Sequence, residues 1–254
     1  MTRRRWIADE VEGDRAYLNG AHAAHLARVL RARIGQEFDI SAGGRLRRGR
    51  VLAVSDERVE FELGEAIAAA PLFELSVLLS IIKFDRMEWA LEKLTELGVS
   101  TIVPLAARRT DTHLATAAHK RVERWRRIAR EASEQSRRTE PPEIADPTEL
   151  REALNLAAEC KLLLDERQMV DTTSSQQVER LPLPGASIRE ALDSSPGIGS
   201  VALAVGPEGG WTEEELQAFA DAGWRPVSLG KMILRTETAA IAAVAAVRTV
   251  FDRS

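Results

Sequence analysis

The hydrophobic positions along the chain change their pattern near residue 70. The first part has short runs of strand type at residues 38–41, 50–54 and 59–63, and one stretch of helical spacing at residues 20–33. The positions that share one face of this helix are His22, Leu26, Val29 and Leu30. The pattern predicts a small β-rich domain with one helix, which ends in the small-residue stretch at residues 66–71.

Strands and helices alternate after residue 72. The near-continuous apolar run at residues 75–82 is typical of a strand covered on both faces. Asp85 is predicted to cap a helix that Gly98 ends, and residues 101–105 predict the next strand. The apolar face of the helix is predicted to contain Met87, Ala90, Leu91 and Leu94. Because a strand–helix–strand unit has parallel strands, periodicity predicts a Rossmann-like α/β domain.

The middle of the chain is less regular. Residues 121–136 have the spacing of an amphipathic helix, which the two prolines at 141 and 142 prevent from continuing. Residues 162–164 predict a strand, and the neighbouring Cys160 is expected to be a buried thiol. Residues 169–199 predict a long irregular connection with one short helix at residues 188–192.

Two glycine-containing turns follow strand-like runs. The run at residues 201–205 stops at Gly206, and Thr212 with Glu215 has the spacing of a capping box, so residues 206–211 are predicted to form a turn at the carboxyl end of a strand. Open α/β sheets bind ligands at this edge. Gly209 and Gly210 would allow positive φ values and a close approach of the backbone to a ligand.

The second turn has the same order of elements. Residues 226–229 are strand-like, Gly230 breaks the strand, and residues 239–251 predict an alanine-rich helix. Its buried positions are predicted to be Ile241, Val244 and Val247. Together the two turns predict one pocket with two walls. The alternative is that both are ordinary turns.

These motifs resemble those of a known family. The Gly-Pro-Glu-Gly-Gly sequence at residues 206–210, the Leu-Gly at 229–230 and residues 233–239 are similar to the signature of the RsmE family. Members of this family are SPOUT-class methyltransferases that methylate N3 of a uridine in small-subunit ribosomal RNA. The resemblance extends upstream through residues 92–98 to residues 25–31, so it covers nearly the whole chain in order.

The resemblance implies an α/β fold in two domains. Residues 1–71 would form a PUA-like RNA-binding β-barrel domain, and residues 72–254 a SPOUT methyltransferase domain with a parallel sheet and a C-terminal trefoil knot. Spacing alone does not predict a knot, and general rules of chain topology argue against one.

The resemblance also implies a cofactor, S-adenosyl-L-methionine, and a set of site residues. The implied cofactor-binding residues are Leu203, Gly206, Glu208, Gly209, Leu229, Gly230, Ile233, Leu234 and Arg235. Catalysis is expected from Arg235, Glu237 or Glu208, because the four histidines lie far from both glycine turns in sequence. Arg235 lies in an otherwise apolar run and is expected to need a polar partner. The alternative for Glu237 is a carboxylate that only stabilises a helix N-terminus.

The charge distribution points to a nucleic acid. Residues 1–50 contain 11 arginines and 6 acidic residues, and residues 108–138 contain 10 basic and 4 acidic residues, although the whole chain has a net charge of −4. Such clusters can bind phosphates, but they can also be solvated, ion-paired helix faces. The expected RNA-binding residues are Arg5, His25, Arg28, Arg31, Arg109, Gln135 and Arg138. The expected partner is 16S rRNA or the 30S subunit.

The remaining expectations concern assembly and class. The apolar C-terminal helix predicts a homodimer, unless residues 169–199 cover that helix and leave a monomer. With no apolar run of about 18 residues and a single cysteine, neither a membrane span nor a thiolate metal site is expected, and the protein is expected in the cytoplasm. A non-catalytic RNA-binding or ribosome-assembly protein is the main alternative. The usual nucleotide-binding glycine motifs are absent, which argues against an NTP-binding enzyme.

Overall fold

A computed structural model describes residues 5–67, 73–136, 138–165, 186–195 and 197–251. The chain divides into two compact units, Met1–Pro71 with Ser133–Pro141, and Leu72–Ala132 with Pro142–Ser254. The first division falls where the hydrophobic pattern changes. The assignment of Ser133–Pro141 to the first unit was not indicated by the sequence.

The first unit is built on one sheet. Its strands, in the described part of the chain, are β1 (Arg5–Ile7), β2 (Glu10–Glu12), β3 (Arg15–Asn19), β4 (Glu37–Ala42), β5 (Arg45–Val54) and β6 (Arg58–Ala66). They lie in the order β1-β4-β5-β6-β3-β2, and only the β1–β4 pairing is parallel. The two edge strands are consecutive in the chain, because Ala8 and Asp9 alone separate them. Ala8 N donates a hydrogen bond to Ser41 O of β4, and Asp9 N donates one to Tyr17 O of β3. This short segment therefore bonds to the strands next to both edges of the sheet.

The helix of the first unit differs in part from its prediction. Helix α1 (Gly20–Ala24) continues into a π-helical turn (His25–Val29), in which Leu30 N donates to the carbonyl of His25, five residues back. Leu26 is buried among the sheet residues as expected, but the side chain of Val29 is 65% exposed. The wider π turn rotates Val29 away from the face that an ideal α-helix would give it.

The second unit contains a parallel sheet. Its described strands are β7 (Glu74–Ser80), β8 (Thr101–Ala106), β9 (Glu143–Ile144), β10 (Thr148–Glu149), β11 (Cys160–Leu164), β12 (Ala186–Ser187), β13 (Ser200–Val205) and β14 (Arg225–Ser228). Their order is β10-β8-β7-β13-β11-β14-β12, with β9 beside β8, and every pairing is parallel. The predicted parallel α/β sheet is confirmed. Cys160 is a buried thiol within β11 itself.

Helices cover both faces of this sheet. In the described residues they are α2 (Phe84–Glu96), α3 (Thr112–Ala118), α4 (Val122–Gln135), α5 (Leu150–Ala153), α6 (Ile188–Asp193), α7 (Glu213–Asp221) and α8 (Thr236–Phe251), with a 3-10 turn at His119–Arg121. Leu203 of β13 packs into the core with α2, α4 and α8, whereas its neighbours Ala202 and Ala204 face the core with α7. The alternation explains why the strands are apolar on both faces.

Two helix starts differ from the sequence prediction. Helix α2 begins at Phe84 with Lys83 as its N-cap, so Asp85 lies in the first turn and makes no cap. A carboxylate there is still favoured by the helix dipole. Gly98, with φ of 83°, follows the end of α2 as predicted. Helix α8 begins at Thr236, three residues before the predicted start, so Glu237 lies in its first turn. No described helix has the length and apolar character needed to cross a membrane.

Candidate active site

A cleft opens in the second unit, at the carboxyl ends of β11, β13 and β14. It encloses about 750 Å³ of empty space that is continuous with solvent. Two of its walls are formed by the turn at residues 206–210, called here the 206–210 turn, and by residues 229–235, the 229–235 loop. Leu164, the last residue of β11, and Asp165, which follows it, lie between these two walls. This edge of a parallel sheet is where ligands bind in open α/β folds.

The 206–210 turn is tightly packed. Gly210 has φ of 67° and its N–H donates to Pro207 O at 2.8 Å, whereas Gly209 does not have a positive φ. The predicted positive φ therefore applies to Gly210 alone. A Cβ on Gly209 would lie 3.2 Å from Cβ of Arg109, and one on Gly206 would lie 3.0 Å from the Trp211 indole. Close contacts thus explain why glycine occupies positions 206 and 209, and the positive φ explains why it occupies position 210.

The helix after this turn begins as the sequence predicts. Thr212 and Glu215 form the capping box, with each side chain accepting from the other's backbone N–H. Glu215 is buried and also accepts a hydrogen bond of 2.7 Å from Arg108 N, and Trp211 Nε1 donates to Leu164 O at 3.0 Å. These bonds attach the 206–210 turn to the ends of the neighbouring strands.

The second wall is more open. Gly230 has φ of 107°, and a Cβ added there would meet no atom within 4 Å. Met232 and Ile233 are 79% and 83% exposed, while Leu234 is partly buried and faces the cleft. The loop ends at Thr236, whose Oγ1 donates to Gly206 O at 3.0 Å and joins the two walls.

The structure brings together most, but not all, of the expected cofactor residues. Those that line the cleft are Gly206, Gly209, Leu229, Gly230 and Leu234. Leu203 lies in the core beneath it with no exposed surface. Those that the sequence names but that are not part of the lining are Glu208, Ile233 and Arg235. Lining residues that the sequence analysis missed include Leu164, Asp165, Trp211, Thr236 and Ala239. Asp165 could have been found, because a polar residue directly follows a buried strand there.

The three expected catalytic residues have different surroundings. Arg235 is exposed, so the idea that burial in an apolar run forces it to find a polar partner is wrong. Glu208 is exposed and its carboxylate accepts from Arg86 of α2. Glu237 is buried, its Oε1 lies 3.7 Å from Arg86 Nε, and its Oε2 has no hydrogen-bond partner among the described residues. The sequence analysis did not identify Arg86, which contacts both carboxylates.

The expected RNA-binding residues belong to both units. Arg5, His25, Arg28 and Arg31 lie in the first unit, and so do Gln135 and Arg138, which the sequence expects in the second domain. Arg109 lies in the second unit, where its Nη1 donates to Gly209 O at 2.7 Å at the cleft. Six of the seven residues therefore belong to one compact unit. The segment that contains Gln135 and Arg138 returns to that unit.

Within the first unit, several of these residues are exposed. Arg28 donates to Asp56 at 2.6 Å, and this hydrogen bond raises the pKa of the guanidinium and lowers the pKa of the Asp56 carboxyl. Arg31 has φ of 50°, the only positive φ among the described residues other than glycine. His25 is exposed and its ring lies 5.8 Å from that of Trp6. Arg138 Nε donates to Glu140 O at 3.0 Å.

The described residues around the cleft do not form a set of side chains that could bind a metal ion. Among the described residues, no group of three or more His, Cys, Asp or Glu side chains could hold a metal ion. The lining instead combines glycine backbone, apolar side chains, one carboxylate and one guanidinium, from Asp165 and Arg109. Such a set suits an organic molecule with an apolar ring and a few polar groups.

Comparisons with known proteins agree with this geometry. A family model described as RNA methyltransferase domain matches residues 69–248. The chain is similar to the ribosomal RNA small subunit methyltransferase E of Synechocystis, with 32% identity over 92% of this chain and 73% of the relative. It is also similar to the protein of that name from Mycobacterium tuberculosis, with 30% identity over 94% of this chain and 87% of the relative.

Two solved structures are similar to nearly the whole chain. The ribosomal RNA small subunit methyltransferase E of Neisseria gonorrhoeae, bound to S-adenosyl methionine, has a TM-score of 0.76 at 30% identity, and 98% of each chain is covered. A putative methyltransferase of Legionella pneumophila, in complex with the same cofactor, has a TM-score of 0.78 at 26% identity and the same coverage. The chain therefore belongs to the RsmE family of ribosomal RNA small subunit methyltransferases.

Proposed function

We propose that this protein transfers a methyl group from S-adenosyl-L-methionine to N3 of a uridine in 16S rRNA. The observation that carries the proposal is the cleft between the 206–210 turn and the 229–235 loop, at the carboxyl ends of parallel strands. Two members of the fold class with this architecture bind S-adenosylmethionine. The substrate would be 16S rRNA, either free or within the 30S subunit.

The cleft fits this cofactor. Gly209 allows Arg109 to pack closely on the 206–210 turn, and Gly230 borders open space where a side chain would project. Leu229, Leu234 and the Trp211 indole supply apolar surface for an adenine ring. Asp165 and Arg109 are the charged lining residues, and they could pair with the cationic and anionic groups of the methionyl part. The same residues could not bind a triphosphate well, since Arg109 is the only cation among the described lining residues.

Methylation of a uracil at N3 requires removal of the N3 proton. Bound S-adenosylmethionine supplies an electrophilic methyl group, and the nitrogen lone pair left by deprotonation accepts it. Glu208 accepts a hydrogen bond from Arg86, whereas Glu237, whose Oε1 lies 3.7 Å from Arg86 Nε, has an Oε2 without a hydrogen-bond partner among the described residues. We therefore assign proton acceptance to Glu237 and loop positioning to Glu208. Arg235, which is exposed beside the cleft, would stabilise negative charge on the deprotonated ring.

The first unit would bind the RNA. In this proposal it is a PUA-like barrel, which is supported by the bonds of Ala8 and Asp9 to both sides of its sheet. Phosphate contacts are assigned to Arg5, Arg28, Arg31 and Arg138, with His25 and Gln135 beside them and Arg109 at the cleft. The second unit would be the SPOUT methyltransferase domain, and the protein would act in the cytoplasm.

The proposal also includes a trefoil knot and a homodimer. Strand β14 lies beyond β11 in the sheet, and the 229–235 loop connects it to α8, which packs against β13 and β7. This course of the chain is compatible with a knot. Helix α8 retains exposed or partly exposed small side chains at Thr238, Ala242 and Ala246, which a second subunit could cover. Helix α6 also packs on α8, so the connection covers part of the helix. Sedimentation equilibrium decides between a homodimer and a monomer, and a 28.0 kDa species that methylates RNA would exclude an obligate dimer.

The function is tested by two experiments with the full chain. Calorimetric titration with S-adenosylmethionine and with ATP should give binding only to the first. Incubation of the full chain and methyl-labelled S-adenosylmethionine with 30S subunits or free 16S rRNA should then label the RNA, and Glu237→Gln should abolish labelling even when S-adenosylmethionine is saturating. Equal labelling by the wild type and the variant would remove Glu237 from the mechanism.

A further inference from the structure

The first turn of α2 supplies a cation that contacts both walls of the cleft. Arg86 Nη1 is hydrogen-bonded to Glu208 Oε1, which belongs to the 206–210 turn. Arg86 Nε lies 3.7 Å from Oε1 of Glu237, in the first turn of α8 directly after the 229–235 loop. One guanidinium therefore joins two segments that are 29 residues apart in the chain. Arg86 itself is not part of the cleft lining.

The two carboxylates depend on Arg86 to different degrees. The side chain of Glu208 is 46% exposed, so water can solvate it when Arg86 is removed. The side chain of Glu237 is only 7% exposed. A buried carboxylate is costly unless it is paired, and Arg86 is the cation that lies beside this one in the described part of the chain. Loss of Arg86 would therefore disturb the start of α8, where Glu237 is buried, more than it disturbs the exposed Glu208.

The same two segments share another bond, from Thr236 Oγ1 to Gly206 O. Thr236 precedes Glu237, and Gly206 is two residues before Glu208, so the neutral bond and the charged bridge connect the same pair of walls. A planar guanidinium can contact two carboxylates through different N–H groups, which a lysine ammonium does less well. The geometry thus provides a two-point link between the walls.

We propose that Arg86 is a positioning residue for the cleft, which holds the 206–210 turn and the start of α8 at the spacing that the cofactor requires. The identity of that cofactor rests on the function proposed above. The link itself is formed by this chain's own residues. It acts through Glu208 and Glu237 and touches neither the cofactor nor the RNA base.

Hydrogen exchange of the ligand-free full chain tests the link. In Arg86→Met, amides of residues 206–211 and 229–237 should both exchange about tenfold or more faster than in the wild type. Lys93→Met is the matched control, because Lys93 also lies on α2 but pairs with Glu92 and Glu96 of the same helix. It should leave both segments unchanged. Glu208→Gln should loosen the 206–211 segment alone, and it gives the second measurement if Arg86→Met does not fold.

Calorimetric titration with S-adenosylmethionine then separates positioning from plain loss of stability. Arg86→Met should raise the dissociation constant about tenfold with an unchanged binding stoichiometry, and Arg86→Lys should recover part of the loss. A lower stoichiometry with unchanged affinity, or unchanged exchange in either segment, would overturn the positioning role. Failure of the wild type to bind the cofactor would refute the proposed function, while the exchange result would still decide the role of Arg86.

Discussion

Thr236 Oγ1 donates a hydrogen bond of 3.0 Å to the carbonyl of Gly206, and this bond joins the beginning of the last helix to the turn after β13. The two residues come from the two glycine-containing stretches that the sequence presents as the walls of one pocket. Thr236 is 5% exposed, so the bond is protected from water. The walls are therefore connected directly to each other.

Removal of this bond should weaken cofactor binding. Thr236→Val keeps the shape of the side chain but leaves the Gly206 carbonyl without this donor, so the dissociation constant for S-adenosylmethionine should rise about fivefold. Thr249→Val is the matched control on the same helix, since Thr249 Oγ1 bonds only within the helix, to Ala246 O. Calorimetry on both variants checks the prediction. Equal affinity of the two variants would show that the bond does not matter for binding.

The positive φ of Gly210 gives a second prediction. Gly210→Val should strain the backbone and abolish measurable binding of S-adenosylmethionine, because a β-branched residue is disfavoured at φ of 67°. Gly223→Val is its control, because Gly223 has φ of 79° at the end of α7 and does not line the cleft. Both variants should lose about 1–2 kcal/mol of unfolding free energy. If Gly223→Val weakened binding as much, global destabilisation would account for both.

A parallel prediction applies to Gly209, for a different reason. Gly209→Val should also weaken cofactor binding, because its Cβ would be only 3.2 Å from Cβ of Arg109 and would push the Arg109 side chain from the cleft. If displacement of Arg109 causes the loss, Gly209→Val should weaken binding little further in an Arg109→Gly background, which also lacks the contacted Cβ, and calorimetry measures it. A further large loss in that background would show that the added side chain blocks the ligand directly.

Local sequence signals predicted the elements that frame the cleft. The stop at Gly206 after the apolar run of β13, the Thr212–Glu215 capping box and the break at Gly230 all depend on neighbouring residues, and all are present in the structure. The parallel sheet followed from the spacing around α2. Local chemistry was sufficient wherever an element is specified by residues within about one turn of each other.

Contacts between distant residues could not be predicted in this way. Nothing near Arg86 indicates that it meets Glu208 and Glu237, more than 100 positions further along the chain. The exposure of Arg235 depends on the path of the 229–235 loop, which an apolar sequence does not reveal. Val29 was misplaced because a π turn cannot be read from an α-helical spacing. The knot and the uridine specificity come from the family resemblance, and both remain predictions.

Arg31 allows RNA binding to be separated from stability. Its φ of 50° suits glycine, so Arg31→Gly should change the unfolding free energy by less than about 1 kcal/mol, because relief of strain offsets the added freedom of the unfolded chain. Its affinity for 16S rRNA should nevertheless fall about tenfold. Arg33 is an exposed neighbour without a positive φ. Compared with Arg31→Gly, Arg33→Gly should lower the unfolding free energy more and the RNA affinity less. Filter binding and chemical denaturation check the pair, and the opposite ranking would refute the assignment.

The Arg28–Asp56 pair gives a prediction about salt. Asp56 holds the Arg28 guanidinium and competes with phosphate for it, so Asp56→Asn should strengthen RNA binding and Arg28→Ala should weaken it. The slope of log affinity against log salt should become shallower by about one in Arg28→Ala, and also in Arg138→Ala. Affinity for S-adenosylmethionine should stay unchanged in all three variants. A wild-type RNA affinity that did not depend on salt would contradict the role of the arginines.

The central claim is methylation of uridine N3 in 16S rRNA, and nucleoside analysis tests it most directly. 16S rRNA from cells that lack this protein would be incubated with the full chain and S-adenosylmethionine that carries a deuterated methyl group, then digested to nucleosides and separated by mass spectrometry. We expect one deuterated 3-methyluridine per molecule, none with Gly210→Val, and a normal amount with Lys93→Met. A deuterated methyl group on any other nucleoside or atom, or no incorporation into 30S subunits and free 16S rRNA alike, would contradict it.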